Sequence, residues 1–371
     1  MLKFINKFFK FGFQFFWFLL VILATFVLIT RYFLFPLIED SDGFLQGAMS
    51  EAIGEPVTFE NVTVEWVGYR PKISMIRLAA GGKDSPLVRL NKVNATLSLR
   101  SLVERKLIFD SLEVYSPSLI LVRDSSGSIQ ILGIPISDYP DKKDNPLAKW
   151  TLDQRQIVIR DAVVIWRDQL VGGDDVEVQG VDLRIDNDEG FHKIGLLANP
   201  NLDVAQTIVL RASFKTGSEK KFYVESGNVY LEVKSAKLTA PLLDYEVALP
   251  NEMVLRQGEG NFKIWAQVKN NNITEAVFDL EAFELSLLDQ KNSNHINFDS
   301  FSGIFKWRRY DQTEDFVGRN ISIVHKNFTS TAPLNFNFSI SDGYDYQIQF
   351  EHLQIGSFMS GLRALSINST L

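Results

Sequence analysis

From Val57 onward the chain alternates apolar and polar residues with a period of two, and this restricts its fold more than any other feature. Val62, Val64 and Trp66 share one face, while Thr63 and Glu65 take the other. Val93, Ala95, Leu97 and Leu99 alternate with Asn94, Thr96, Ser98 and Arg100. The same arithmetic holds for Val181-Leu183-Ile185, Ile208-Leu210-Ala212-Phe214, Val229-Leu231-Val233 and Phe262-Ile264-Ala266-Val268. It returns in Ala276-Phe278-Leu280, Leu334-Phe336-Phe338-Ile340 and Tyr344-Tyr346-Ile348-Phe350. Alternation of this kind specifies antiparallel strands with one dry and one wet face. Turn residues separate them: Gly81-Gly82, Ser125-Ser126-Gly127, Gly172-Gly173, Gly217, 269–272 and Asp342-Gly343. Helical punctuation is limited to short stretches at 101–106, 241–245 and 357–365. Residues 138–146, rich in proline and mixed charge, read as an exposed loop or weak boundary.

A different pattern precedes the strands. Lys3, Lys7 and Lys10 lead into residues 11–30, which carry no charge, and Arg31 follows. Some 20 apolar residues suffice to cross a bilayer as a helix. The lysines place residue 1 in the cytoplasm and the remainder outside. Arg31-Tyr32-Phe33-Leu34 offers no small-x-small site for a signal peptidase, so the segment reads as an uncleaved anchor. Phe15, Trp17, Leu20, Ile22, Phe26 and Ile29 are its lipid-facing candidates. After Pro36, Asp40-Ser41-Asp42-Gly43 supplies a cap, and Phe44, Leu45, Ala48, Met49, Ala52 and Ile53 recur at helical spacing. The spacing predicts a short amphipathic helix over 43–53. The expected organisation is therefore a basic segment at 1–10, a transmembrane anchor at 11–35 and an elongated β domain at 36–371, with a weak boundary near 138–150.

Composition removes several functions. Among 371 residues there is no Cys, which excludes disulfides, thiolate metal sites and cysteine catalysis. A net charge of −7 with scattered cations argues against nucleic acid as a partner. Asp186-Asn187-Asp188-Glu189-Gly190 lacks the ligand spacing of a calcium loop and reads as a hairpin turn. His192, His295, His325 and His352 stand alone, and His325 and His352 fall in strand-like runs as wet-face residues. No nucleophile elbow, P-loop or dinucleotide fingerprint occurs. The expectation is a non-enzymatic protein without cofactor or metal. Trp265 alternates with the apolar set of its segment and belongs on the opposite, wetter face.

Roughly 17–20 strands each present an apolar face, with too few helices to cover them. Those faces must meet one another or meet something that is not protein. A closed sandwich and an open trough are both compatible with the periodicity. In one sheet, 18–20 strands at ~4.8 Å would extend on the order of 90 Å.

The order of features resembles the AsmA-like superfamily of bacterial envelope proteins, and most closely its YhdP branch. The resemblance is carried by the anchor, the short helix, and Ile53-Gly54-Glu55-Pro56-Val57 leading into Val62-Thr63-Val64-Glu65-Trp66. It continues through 71–78, 89–99, 101–106, the pair 107–114 with Pro117-Ser118-Leu119, and the weak helix at 241–243 before a strand at 260–268. Members of that branch are much longer, so the resemblance reads this chain as an N-terminal portion. What it implies is an inner-membrane anchor, a periplasmic body, and a long curled antiparallel β-sheet whose apolar groove carries phospholipid between inner and outer membranes. On that reading Val93, Ala95, Leu97 and Leu99 line the groove nearest the membrane. Val181, Leu183, Ile185, Leu210, Ala212, Phe214, Phe262 and Ile264 continue the lining. The competing reading is an envelope assembly factor whose edge strands pair with outer-membrane or inner-membrane proteins.

Overall fold

The structure, a computed structural model, describes residues 2–34, 36, 42–53, 56–68, 70–81, 86–98, 100–104, 108–131, 134–135, 146–170, 172, 175–200, 205–217, 223–237, 253–289, 294–310, 313–325, 328–329, 334–341 and 345–350. The helices expected at 241–245 and 357–365, His352, Leu99 and the Asp342-Gly343 turn lie outside them. The chain forms two compact units, dividing at Asp110 and Ser111, upstream of the boundary expected near 138–150.

In the first unit, helix α1 (Leu2–Ile29) ends in a π-helical turn, Thr30–Leu34. The stretch Phe11–Tyr32 is long and apolar enough to cross a membrane, and its side chains from Phe11 to Ile29 are exposed. Phe15, Trp17, Leu20, Ile22, Phe26 and Ile29 are all exposed along it. The Thr30 hydroxyl donates to the Phe26 carbonyl at 2.8 Å, so its polar group is satisfied within the helix. Helix α2 (Asp42–Ile53) forms where the helical spacing predicts one, with Leu45 and Met49 buried. The Ser50 hydroxyl accepts from the Val57 N–H at 2.8 Å and fixes the step into the sheet.

Strands β1 (Val57–Thr58) and β2 (Asn61–Val67) both pair with β3 (Arg70–Gly81), which pairs on its other side with β4 (Pro86–Leu97). Every one of these pairings is antiparallel. Val57, Val62, Ile73, Met75, Val93 and Ala95 form the buried apolar set. A short helix, α3 (Arg100–Glu104), follows; Ser101 Oγ bonds both backbone groups of Ile108 and closes the turn.

The second unit takes in most of β5 (Phe109–Tyr115), with β6 (Ser118–Arg123), β7 (Ile129–Ile131), β8 (Ile134–Pro135) and helix α4 (Pro146–Asp153). The sequence reading contains no counterpart of α4; its proline sits at the first helical position, where the missing N–H costs nothing. The sheet is antiparallel as expected over most of its strands, with one parallel segment. Both β5 and β6 lie parallel to β9 (Gln156–Asp168), an arrangement the long β7–β8–α4 connection makes possible.

From β9 the chain is an antiparallel meander: β10 (Val176–Asp188), β11 (Phe191–Ala198), β12 (Thr207–Thr216), β13 (Val224–Lys237), β14 (Met253–Lys269) and β15 (Asn272–Asp289). It continues through β16 (Asn294–Tyr310) and β17 (Thr313–His325), whose end pairs with the two-residue β18 (Phe328–Thr329). Then β19 (Leu334–Ser341) pairs with β17, and β20 (Asp345–Phe350) with β19. Strand spacing of ~4.8 Å gives β9 to β20 a width of roughly 50 Å. Glu189-Gly190 and Asn270-Asn271, all at positive φ, form the tight two-residue turns that suit hairpin twist. The acidic run at 186–190 is thus the end of β10 and its turn.

Candidate functional site

The registers of the second unit sort its side chains into two faces. One row of ladder partners runs Ile157, Ile185, Ile194, Ala212, Val229, Ala266, Ala276, Trp307, Phe316, Phe338. The next row on the same face runs Ile159, Leu183, Leu196, Leu210, Leu231, Ile264, Phe278, Phe305, Gly318, Phe336, Phe350. Neither row contains a charged residue, and each crosses strand after strand without a break. Between them, on the reverse face, lies Arg184, Gly195, Arg211, Tyr230, Trp265, Val277, Lys306, Val317, Asn337, Gln349. Along these two rows one face is therefore hydrocarbon, with the Arg309–Glu314 ion pair beside Trp307 at its margin. The other face is polar, with cross-strand pairs such as Lys306–Glu275 at 2.7 Å.

Of the sequence-derived candidates, Val181, Leu183, Ile185, Leu210, Ala212, Phe214, Phe262 and Ile264 all fall on this one apolar face. They are half-buried except Val181, which is buried; Phe278, at 40% exposure, is the face's most open aromatic among the described residues. The other four separate from them. Val93 and Ala95 are 2% and 0% exposed and belong to the first unit's core, Leu97 is half-buried there, and Leu99 lies outside the described residues. Trp265 is on the polar face, as the alternation requires, at 41% exposure. His325 departs from expectation: its register places it with Ile321 and Ile323 on the apolar face, half-buried.

A band of β-bulges crosses the sheet. Asp161, Ser235 and Asn320 each take a left-handed backbone, at φ of 53°, 48° and 54°. At each one the ladder slips, and a side chain on the next strand accepts the stray N–H: Asp182 at 3.0 Å, Asn261 at 2.9 Å and Asn335 at 2.8 Å. Bulges bend and twist the strand that carries them. Along this band the apolar face is built from small residues. Ala162, Ala198, Ala236 and Ala282 are buried, and Gly260 is the register partner of both Ala236 and Ala282. A Cβ at Gly260 would stand 2.6 Å from the Glu281 carbonyl oxygen, so the bend closes on this side. Larger residues flank the band: Leu210, Leu231 and Ile264 on one side of it, for example. Sequence reasoning missed the band, yet the signal is present as a phase slip, from Ile157-Ile159 to Ala162-Val164 and from Leu231-Val233 to Ala236.

At one end the apolar face is closed by polar groups. His192 is 3% exposed and packs on the Phe214 ring with centroids 5.0 Å apart. Its Nδ1 meets Asn187 Oδ1 at 2.7 Å and its Nε2 meets Thr216 Oγ1 at 3.0 Å. The Asn187 amide donates to the Gln154 and Thr151 carbonyls, so its oxygen accepts, which places the imidazole proton on Nδ1. Burial pushes the His192 pKa below its ordinary 6.5. This network ties α4 and the residues after it to β10–β12. Among the described residues no group of three or more acidic or histidine side chains is placed to hold a metal ion.

The arrangement offers an apolar strip, small-floored along its bend, on which hydrocarbon can lie without meeting a charge. The family model described as YhdP protein matches residues 1–371. No curated protein and no solved structure matches the chain.

Proposed function

The chain belongs to the YhdP family, and from that premise we propose that it is a membrane-tethered, non-catalytic lipid conduit of the cell envelope. The anchor Phe11–Tyr32 holds it in the inner membrane with residue 1 in the cytoplasm and the sheet in the periplasm. Phospholipid acyl chains lie along the apolar rows, head groups stay in water, and the outer-membrane barrier is the beneficiary.

The observation that carries this reading is the unbroken apolar row from Ile159 through Ile264 to Phe350, backed on the reverse side by a polar row. A methylene exposed to water costs about 0.8 kcal/mol, whereas moving it between a bilayer and this strip changes little. The face lowers a desolvation barrier and stores no energy, so net direction has to be supplied from outside the sheet.

The test uses neighbouring residues on opposite faces. A photo-crosslinking amino acid at Ile264 should capture phospholipid, and one at Lys263 should not. A folded protein that yields no lipid adduct at Ile264, or equal adducts at both, overturns the assignment. Protein adducts at both would point instead to the edge-strand assembly role.

A further inference from the structure

The polar face of the second unit carries a half-open cleft of about 620 Å³ spanning β10 to β15. Its floor is Gly195, where an added Cβ would meet nothing within 4 Å. Its walls follow from the register, which sets Gly195 between Arg184 and Arg211 and continues into Tyr230 and Trp265. The two rings are 5.4 Å apart and tilted by 45°, and Trp265 keeps 41% of its surface open to solvent. An exposed indole beside an uncommitted cation offers a ligand a stacking surface and a charge on the same wetted face.

The charges of the cleft are mostly spent. Arg184 is held by Asp186 at 2.7 Å, and Glu275 by Lys306 at 2.7 Å. Asp186 is accordingly held below the usual carboxylate range, chiefly by its bond to Arg184. Lys193 lies over the Phe191 ring at 5.5 Å. No hydrogen bond or ion pair engages the Arg211 guanidinium among the described residues, although it is close enough to act on Tyr230. Asn228 and Gln267 add planar amides at the rim. One free guanidinium beside an aromatic platform, with acidic groups nearby, suits a ligand bearing isolated negative charges and C–H faces. It does not suit a polyphosphate, whose several charges a single free guanidinium cannot match. Nor can the head group of a lipid on the apolar face reach it, because the sheet itself stands between.

We propose that this cleft binds an acidic saccharide, a sugar ring stacking on Trp265 and its carboxylate pairing with Arg211. The site is independent of lipid carriage: Arg211 and Trp265, which would hold the saccharide, lie on the face opposite the apolar rows.

The experiment is a binding titration of the full chain in detergent with a galacturonic acid oligosaccharide. Neutral chito-oligosaccharide, ATP and anionic phospholipid vesicles serve as comparison ligands. The acidic saccharide alone is expected to bind saturably, and Arg211→Gln and Trp265→Phe should each weaken it by roughly tenfold or more. Trp265→Phe keeps an aromatic ring and strand propensity, so a folding failure in a harsher variant cannot mimic the result. Ile264→Asp should retain saccharide binding even where it loses lipid, which separates the two proposals. Absence of saturable binding, equal binding of the neutral sugar, preference for ATP or vesicles, or unchanged affinity in both variants would each overturn the inference.

Discussion

Ser235 and Asn261 lie on adjacent strands at the point where the β13–β14 ladder slips, and the Ser235 backbone N–H donates to Asn261 Oδ1 at 2.9 Å. The contact repairs the hydrogen bond that the bulge would leave unmade. Its recurrence between Asp161 and Asp182, and between Asn320 and Asn335, makes it the local device by which the sheet tolerates its bend. Asn261→Ala should therefore cost about 1 kcal/mol in urea unfolding, whereas Asn261→Asp, which retains an acceptor, should recover most of it. Equal losses in both variants would mean the contact is incidental.

Two glycines on opposite faces should respond oppositely to alanine. A Cβ at Gly260 would press on the Glu281 carbonyl oxygen at 2.6 Å and on Ala282 Cα at 3.2 Å, both backbone atoms that cannot yield without moving the strand. Gly195 has open space on its side. Gly260→Ala is expected to lower stability by about 1–3 kcal/mol and Gly195→Ala to raise it slightly, through strand propensity. Thermal melts of the two variants decide it.

Much of this is legible in the residues alone. Alternation assigns Leu183, Leu210, Ala212, Phe214, Phe262 and Ile264 to one face and Trp265 to the other, because in a strand parity alone fixes the side. Parity does not tell which neighbour a strand takes, so the parallel pairing of β5 and β6 with β9 stays hidden. Nor does it separate Val93 and Ala95, sealed in a core, from Leu210 on a half-open face. His325 reads as a solvated strand residue because a polar side chain in an alternating run is ordinarily outward. His192 reads only as an isolated histidine. It faces inward because Asn187 and Thr216, distant in sequence from one another, satisfy both ring nitrogens.

That burial gives stability a pH signature. The His192 pKa is lowered on folding, so between its folded value and 6.5 the unfolded chain binds more protons. Stability is then full above pH 6.5 and declines as pH falls below it, by up to about 1.4 kcal/mol per pH unit for one proton. The lowered carboxylates, among them Asp186 and Glu314, add their own loss only as pH falls below about 5. The interval between is diagnostic. Urea midpoints measured from pH 7 to pH 5 should fall for the parent chain and flatten for His192→Gln; parallel slopes would remove His192 as the cause.

The apolar face makes the sharpest demand. Ile264 and Val277 are both aliphatic, both half-buried, and both interior to long neighbouring strands, yet the register puts them on opposite sides of the sheet. Aspartate at either position loses a similar amount of buried hydrocarbon and strand propensity, so any difference between the variants reports the face and not the fold. On the Ile264 side the new carboxylate enters the middle of the row Leu210, Leu231, Phe278 and Phe305, where a hydrocarbon chain cannot solvate it and would be excluded for some distance either way. On the Val277 side it joins Lys306 and Trp265 in water. Phospholipid recovered with detergent-extracted Ile264→Asp, quantified by mass spectrometry, should drop by about fivefold or more while Val277→Asp keeps the parental amount. Equal retention in both, with circular dichroism showing intact strands, would leave the apolar face without a lipid to carry.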